Sequence, residues 1–259
     1  VKEIEPKKIE GKEIIALDFG LRNFLTSSKG DLFGRRLYEK VHEYARKIDR
    51  LQRNLQRQGI KPGQSKRFVR LTKKLSAFIK NEVRRIINRI VRLYNPKVIV
   101  VERLKSLYKK FLSDYPKEVK RVIVRYGYGE LKRKLQEIKE EYGIEVIEVN
   151  PAYSSQTCSS CGYVDKKNRK SQEKFECRLC GYKVSADVNG AKNLVSRAYW
   201  VSSSSLRSTG KALVRQVEEF LKNLSGKRYK CLRSKARGLL SENPYFKEFS
   251  GIVLNPMHR

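Results

Sequence analysis

Two Cys-x-x-Cys pairs, Cys158-Ser-Ser-Cys161 and Cys177-Arg-Leu-Cys180, stand a short hairpin apart, and Asp187 follows them closely. Four thiolates at this spacing suit a tetrahedral structural Zn²⁺ site, because each turn offers two sulfurs to one ion. The competing reading is disulfide pairing. It would leave a fifth cysteine, Cys231, over, and no segment resembles a signal peptide that would take the chain to an oxidising compartment.

Three carboxylates form the second constellation. Glu13-Ile-Ile-Ala-Leu-Asp18-Phe-Gly20 is an apolar run ended by an acid, and Lys97-Val-Ile-Val-Val-Glu102 repeats that pattern. Both read as buried strands that deliver an acid at their carboxyl ends, and Asp187 reads as the opening of a helix. Strands projecting acids into one cleft that a helix closes would crowd like charges, which hard divalent cations such as Mg²⁺ or Mn²⁺ relieve. Two such ions about 3.5 to 4 Å apart suit phosphodiester hydrolysis. Each acid also has an ordinary reading, as a turn residue, a surface ion pair with Arg103 or a helix N-cap. Together with the cysteine segment they favour a nuclease. Histidine-based sites are disfavoured, since only His42 and His258 exist and their contexts differ.

The elements that must position these residues follow from periodicity. Asn23 to Thr26, a Ser27-Ser-Lys-Gly30 turn and Leu32 to Arg36 predict an antiparallel extension of the first strand. From Tyr38 to Tyr94 the apolar period becomes helical, with Val41, Ala45, Leu51 and Leu55 on one stripe and Leu71, Leu75, Ile79, Ile86 and Ile90 on the next. Gly59-Ile-Lys-Pro-Gly63 breaks it into two helices. Their outer faces carry Arg46, Lys47, Arg50, Arg53, Arg57, Lys66, Arg67, Arg70, Lys73 and Lys74, as a group a surface suited to tracking a phosphate backbone. Leu104 to Tyr115 reads as an irregular connection, Pro116 to Tyr142 as a helix interrupted near Gly127-Tyr-Gly129, and Ile144 to Val149 as a strand. Asp187 to Tyr199 is a predicted helix. Ser202 to Ser205 reads as a linker, and Leu213, Val217, Phe220, Leu221 and Leu224 as an amphipathic helix before a basic tail.

Composition agrees with a polyanionic partner. The 259 residues hold 59 Lys+Arg against 27 Asp+Glu, a formal net charge of +32. Charge this dense repels itself unless nucleic acid neutralises it. A membrane partner is disfavoured, because no long apolar span exists and the basic residues are spread along the chain.

The blocks Leu17-Asp18-Phe-Gly20-Leu-Arg-Asn23-Phe, Val101-Glu102-Arg-Leu104, and Pro151 through Cys158-Ser-Ser-Cys161-Gly and Cys177-Arg-Leu-Cys180-Gly to Ala186-Asp187-Val-Asn189-Gly-Ala-Lys-Asn193 resemble the transposon-encoded TnpB (OrfB) family. The resemblance runs from about Ile14 to Ala198. It implies an α/β, RNase H-like (RuvC) mixed sheet with a helical insertion and a small zinc ribbon, and kinship with type V CRISPR effector nucleases. The nuclease core would comprise residues 1–37, 96–150 and 186–200, the basic helical hairpin 38–95, the ribbon 151–185 and a basic extension 201–259. The resemblance makes Asp18, Glu102 and Asp187 the catalytic triad. It draws attention to Arg169, whose type recurs between the cysteine pairs and suits the phosphate being cut. It further implies a guide RNA transcribed from the transposon end, a DNA target, and a cytoplasmic, nucleoid-associated place in a prokaryotic cell. Only seventeen residues precede Asp18, where family members usually carry a larger region for target recognition, so the expectation is either an excised or naturally shortened form or a second chain that supplies that function. The alternatives are a nucleic-acid binder that does not cleave and a strand-transferring transposase with the same metal chemistry.

Overall fold

The apolar run before Asp18 forms the middle strand, β1 (Glu13–Phe19), of a five-stranded sheet. The computed structural model describes residues 11–20, 22–103, 119, 122–171, 173–200, 217, 219 and 239. β2 (Leu25–Ser27) and β3 (Leu32–Phe33) extend the sheet antiparallel on one side through the predicted Ser27 to Gly30 turn, but the second limb, expected to reach Arg36, stops at Phe33 because Arg35 and Arg36 already open a helix. On the other side β4 (Pro96–Glu102) and then β5 (Glu145–Val149) lie parallel, giving the order β3-β2-β1-β4-β5.

Alternation along these strands builds two apolar layers. Ile15, Leu17 and Phe19 of β1 join Ile99 and Val101 of β4 on one face, against the helices α1 (Arg35–Arg57), α2 (Lys66–Tyr94) and α3 (Gly129–Tyr142). Ala16, Val98, Val100 and Val149 point the other way and pack on Leu194 of the helix α4 (Ala186–Trp200).

Entry to α1 depends on Gly34. It has φ 82°, and a Cβ there would stand 2.5 Å from Phe24 Cβ and 2.9 Å from Ile86 Cδ1. α1 ends at Arg57, and a short turn over Pro62–Gln64 leads to Ser65, whose hydroxyl accepts the Phe68 amide at 3.3 Å and starts α2. The Gly/Pro break thus falls where the sequence predicts it.

The interruption expected near Gly127 is not a break. Ile123–Tyr128 form a π-helical turn that runs straight into α3, with Gly129 in ordinary helical geometry. A Cβ on Gly127 would lie 3.1 Å from Phe24 Cε2, so this glycine serves close helix-to-sheet approach instead of a chain reversal. Glu130, buried at the start of α3, is paired with Arg84 of α2 at 3.1 Å and with Arg133, which ties the two helices together.

The cysteine segment forms a separate knob with strands β6 (Lys174–Glu176) and β7 (Lys183–Ser185). Val217 and Leu239 pack into its apolar centre. The predicted connection at 104–115, the serine linker and Cys231 lie outside the described residues, as do the carboxyl-terminal amphipathic stripe apart from Val217 and the basic tail apart from Leu239. Among the described residues no helix is long and apolar enough to cross a membrane.

Candidate active site

The four cysteines converge. Their sulfurs lie within 4.8 Å of one another, with Cys158 to Cys180 at 3.7 Å and Cys161 to Cys177 at 3.6 Å. Those separations are far too long for disulfides, and a tetrahedron with Zn–S bonds of about 2.3 Å spaces its sulfurs by about 3.8 Å. The two turns share one construction. Cys158 N donates to Tyr163 O and Cys177 N to Tyr182 O, both at 2.9 Å. Gly162 at φ 76° and Gly181 at φ 74° return the chain toward Cys158 O and Cys177 O. Hydrogen bonds among the four sulfurs split the cluster: they hold the Cys177 and Cys180 thiols below their ordinary range and, with burial, push those of Cys158 and Cys161 up, as four thiols crowded together must share protons. Sulfur type, spacing and number fit Zn²⁺.

The acids are held by the sheet and α4. β1 and β4 are parallel with Leu17 beside Val101, so one further residue along each strand brings Asp18 beside Glu102 on the face that α4 covers. Glu102 is fully buried, and its Oε1 accepts the Phe19 amide at 3.3 Å. Asp18 is half-buried. A Cβ on Gly190 would come within 3.0 Å of Asp18 Oδ2, so α4 passes directly over that carboxylate. Asp187 lies in the first turn of α4, three residues before Gly190 and on a neighbouring part of the helix surface. Among the described residues only the cysteines close to within 4.8 Å as a group; the three carboxylates stand in a wider arrangement.

Sequence reasoning missed the residues that hold α4 in place. Asn189, fully buried, accepts the Ser159 amide at 3.0 Å and donates to Thr157 O at 2.7 Å. Asn193, one turn on, donates to Ser154 O and Thr157 O, both at 2.7 Å. These bonds fasten the ribbon to the helix that carries Asp187. The signal was present: two asparagines four apart are poor choices for a helix interior unless their side chains are committed.

Arg197, also on α4, was missed as well. It is 4% exposed, and its Nη1 donates to Asn150 O at 2.6 Å just beyond β5. Burial pulls this guanidinium down to about 10, and the charge of Glu102 opposes that pull. Tyr128 sets its ring edge against Phe19 at 5.6 Å, and burial, with Glu148 and Glu102 near, pushes its phenol upward.

Arg169 follows a short turn in the ribbon, Lys166–Asn168, and its Nε donates to Ser171 O at 3.3 Å. The basic residues of the helical hairpin do more than coat a surface. Lys47 and Arg50 of α1 face Arg67, Arg70 and Lys74 of α2 across a cleft of about 650 Å³ floored by Leu51 and Leu71. Lys47 is paired with Glu43 at 2.6 Å, while Arg50, Arg67, Arg70 and Lys74 make no ion pair among the described residues.

Residues 1–110 match the family model described as a probable transposase, OrfB_IS605, and residues 128–194 match the Cas12f1-like TNB domain. The chain is 30% identical over 225 residues to the putative RNA-guided DNA endonuclease InsQ of Escherichia coli K12, covering 80% of this chain and 55% of that protein. It is 26% identical over 208 residues to the TnpB-like protein L79 of Acanthamoeba polyphaga mimivirus, covering 75% of this chain and 39% of that one. The fold is similar to that of Cas12f1 solved by cryo-EM in its complex with sgRNA and target DNA, with a TM-score of 0.53 and 23% identity over 70% of this chain and 49% of that one.

Proposed function

The chain belongs to the TnpB (OrfB) family, related to the type V CRISPR effectors, and from that premise we propose that it is a RuvC-like, divalent-metal-dependent endonuclease that cuts DNA under RNA guidance. The chain spans 55% of the length of its InsQ relative, so guidance and whole-protein targeting belong to the proposal.

What carries the reading is the site geometry. Asp18 and Glu102 lie near the ends of adjacent parallel strands on one face, and α4, which carries Asp187 in its first turn, passes over Asp18 at Gly190. Carboxylate oxygens of this kind suit Mg²⁺ or Mn²⁺, which when bound supply activation of a water and stabilisation of the leaving oxygen of the cut phosphodiester. The chain's own contribution is order. The Phe19 amide fixes the Glu102 carboxylate, and Gly190 leaves space beside Asp18 that a side chain would fill. Arg169 would meet the phosphate being cut, and the cationic cleft of the hairpin would hold nucleic-acid backbone away from the acids. The zinc ribbon keeps α4 in register through Asn189 and Asn193.

In this reading the nuclease core is shared by residues 1–37, 96–150 and 186–200, with 38–95, 151–185 and 201–259 as hairpin, ribbon and extension. The partners are a guide RNA from the transposon end and a DNA target in a prokaryotic nucleoid. The test is to sequence the RNA that copurifies with the chain and assay Mg²⁺-dependent cutting of matching DNA by wild type and Asp18→Ala. A defined RNA with wild-type-only cutting is the expected result; heterogeneous RNA without matched cutting favours a binder. The description of the matched model as a probable transposase favours one second reading, strand transfer, in which a DNA 3′ hydroxyl replaces water. Joined DNA products in the same assay would establish it.

A further inference from the structure

Arg22 and Glu173 stand 151 residues apart in the chain and meet at 2.8 Å, Nη1 to Oε1. The pair joins the flanks of two of the three acids. Arg22 lies in the turn that leaves β1 just after Asp18, closed by the Gly20 amide donating to Phe24 O at 3.2 Å. Glu173 lies in the ribbon, where its carbonyl accepts the amide of Ala186 at 3.0 Å, and Ala186 is the residue before Asp187. The Glu173 amide donates in turn to Ser171 Oγ at 3.2 Å, so the backbone that presents this carboxylate is fixed on both sides.

Two features set the contact apart from a brace for the fold. Both side chains are exposed, at 53% and 74%, and an ion pair so open to water shifts a folding equilibrium by about fivefold at most. Cations also abound nearer to Glu173 along the chain, at Lys166, Lys167, Arg169, Lys170 and Lys174, yet among the described residues its ion pair is with Arg22. A guanidinium meets carboxylate and phosphate oxygens with the same fork of N–H donors. Glu173 thus holds, at the edge of the acids, the place that a phosphate oxygen would take.

We propose that Arg22 binds a phosphate of the DNA strand being cut, and that Glu173 is its built-in competitor, seated on the guanidinium until that phosphate displaces it. The placing beside the cut rests on the reading of Asp18 and Asp187 as the cutting site. Displacement costs little because the pair is exposed, and it frees the ribbon hairpin from the turn after β1 as the strand enters. Glu173 therefore restrains the affinity of this edge without touching the acids' own chemistry.

The test is a double-mutant cycle in the full chain: wild type, Arg22→Gln, Glu173→Gln and the two together. Affinity for a labelled single-stranded DNA oligonucleotide is read by fluorescence anisotropy without Mg²⁺, with thermal melting as the check on the fold. Glu173→Gln is expected to bind about two- to fivefold tighter than wild type, Arg22→Gln about threefold or more weaker, and Glu173→Gln to add nothing in the Arg22→Gln background. Unchanged affinity in either single variant overturns the proposal. So does a gain of equal size in the Arg22→Gln background, or an equal gain from Glu176→Gln in β6, since either would reflect total charge. Melting lowered alike in both single variants would make the pair a brace and overturn it too. RNA of the same sequence is the second arm: a cycle seen with RNA and not with DNA overturns the assignment to the cut strand. Cutting of matching DNA in Mg²⁺ separates the proposal from the reading beneath it. Wild-type cutting without the cycle removes Arg22 alone, whereas the cycle without cutting by any of the chains removes the nuclease reading and leaves the phosphate contact.

Discussion

At Asp18 the space left by one absent side chain decides what the site can hold. Gly190 sits one turn beyond Asp187, and a Cβ there would come within 3.0 Å of Asp18 Oδ2. Gly190→Ala gains helix propensity, about 1 kcal/mol, against a contact at 3.0 Å that asks the carboxylate to move by a few tenths of an ångström. That variant is expected to melt slightly higher than wild type and to retain cutting. Gly190→Leu is expected to fold with the Asp18 carboxylate displaced and cutting lost, as read by melting and cleavage assays on the same samples. Asp18→Ala and Glu102→Ala are expected to reduce cleavage by about 10³-fold or more while nucleic-acid affinity stays near wild type, because cationic contacts to phosphate dominate binding. Full cutting by both alanine variants would remove these acids from the mechanism.

At the scale of elements, α4 is the helix on which everything converges. It covers the acid-bearing face of the sheet, carries Asp187, and is fastened to the ribbon by buried asparagine side chains. In the proposed nuclease, zinc would therefore act on the chemistry at one remove. Cys177→Ser is expected to release zinc, melt β6 and β7 and lower cleavage, although the four cysteines form a cluster of their own apart from the acids; zinc analysis, circular dichroism and cutting are read together. A variant that kept both its zinc and its full activity would break this chain of dependence. The coupling can also be loosened without removing the metal. Asn193→Ala leaves the Ser154 carbonyl without its donor and is expected to cost about 1–3 kcal/mol in denaturant unfolding with zinc retained.

For the molecule as a whole, the net charge of +32 makes binding to polyanions the default, so specificity must be sought in local arrangement. The cleft between α1 and α2 is one such place, because Arg50, Arg67, Arg70 and Lys74 face each other there without acidic partners among the described residues. Replacing these four by Ser is expected to lower nucleic-acid affinity and to flatten the plot of log affinity against log salt by about 0.9 for each duplex-DNA phosphate that is no longer neutralised. The control removes four exposed cations elsewhere, Arg89, Lys97, Lys132 and Lys139. Equal weakening by the two sets would mean that total charge, and not the cleft, governs binding.

Some of this was legible in the chain alone. Cysteine spacing announced four converging sulfurs, and the apolar runs ending in Asp18 and Glu102 announced two buried strands, because both signals are local and repeat within a few residues. The two-helix hairpin and its Gly/Pro turn were legible for the same reason. The π-helical turn at Gly127 was not, since the same glycine that breaks a helix also permits close approach, and only the position of Phe24 chooses between them. Nor did the sequence assign Asn189, Asn193 or Arg197, whose partners lie in other elements. Residue type and spacing determined which chemistry the chain could perform. The tertiary structure decided which buried polar groups meet, because a hydrogen bond or a buried charge is set by distance in space, to which separation along the chain gives no guide.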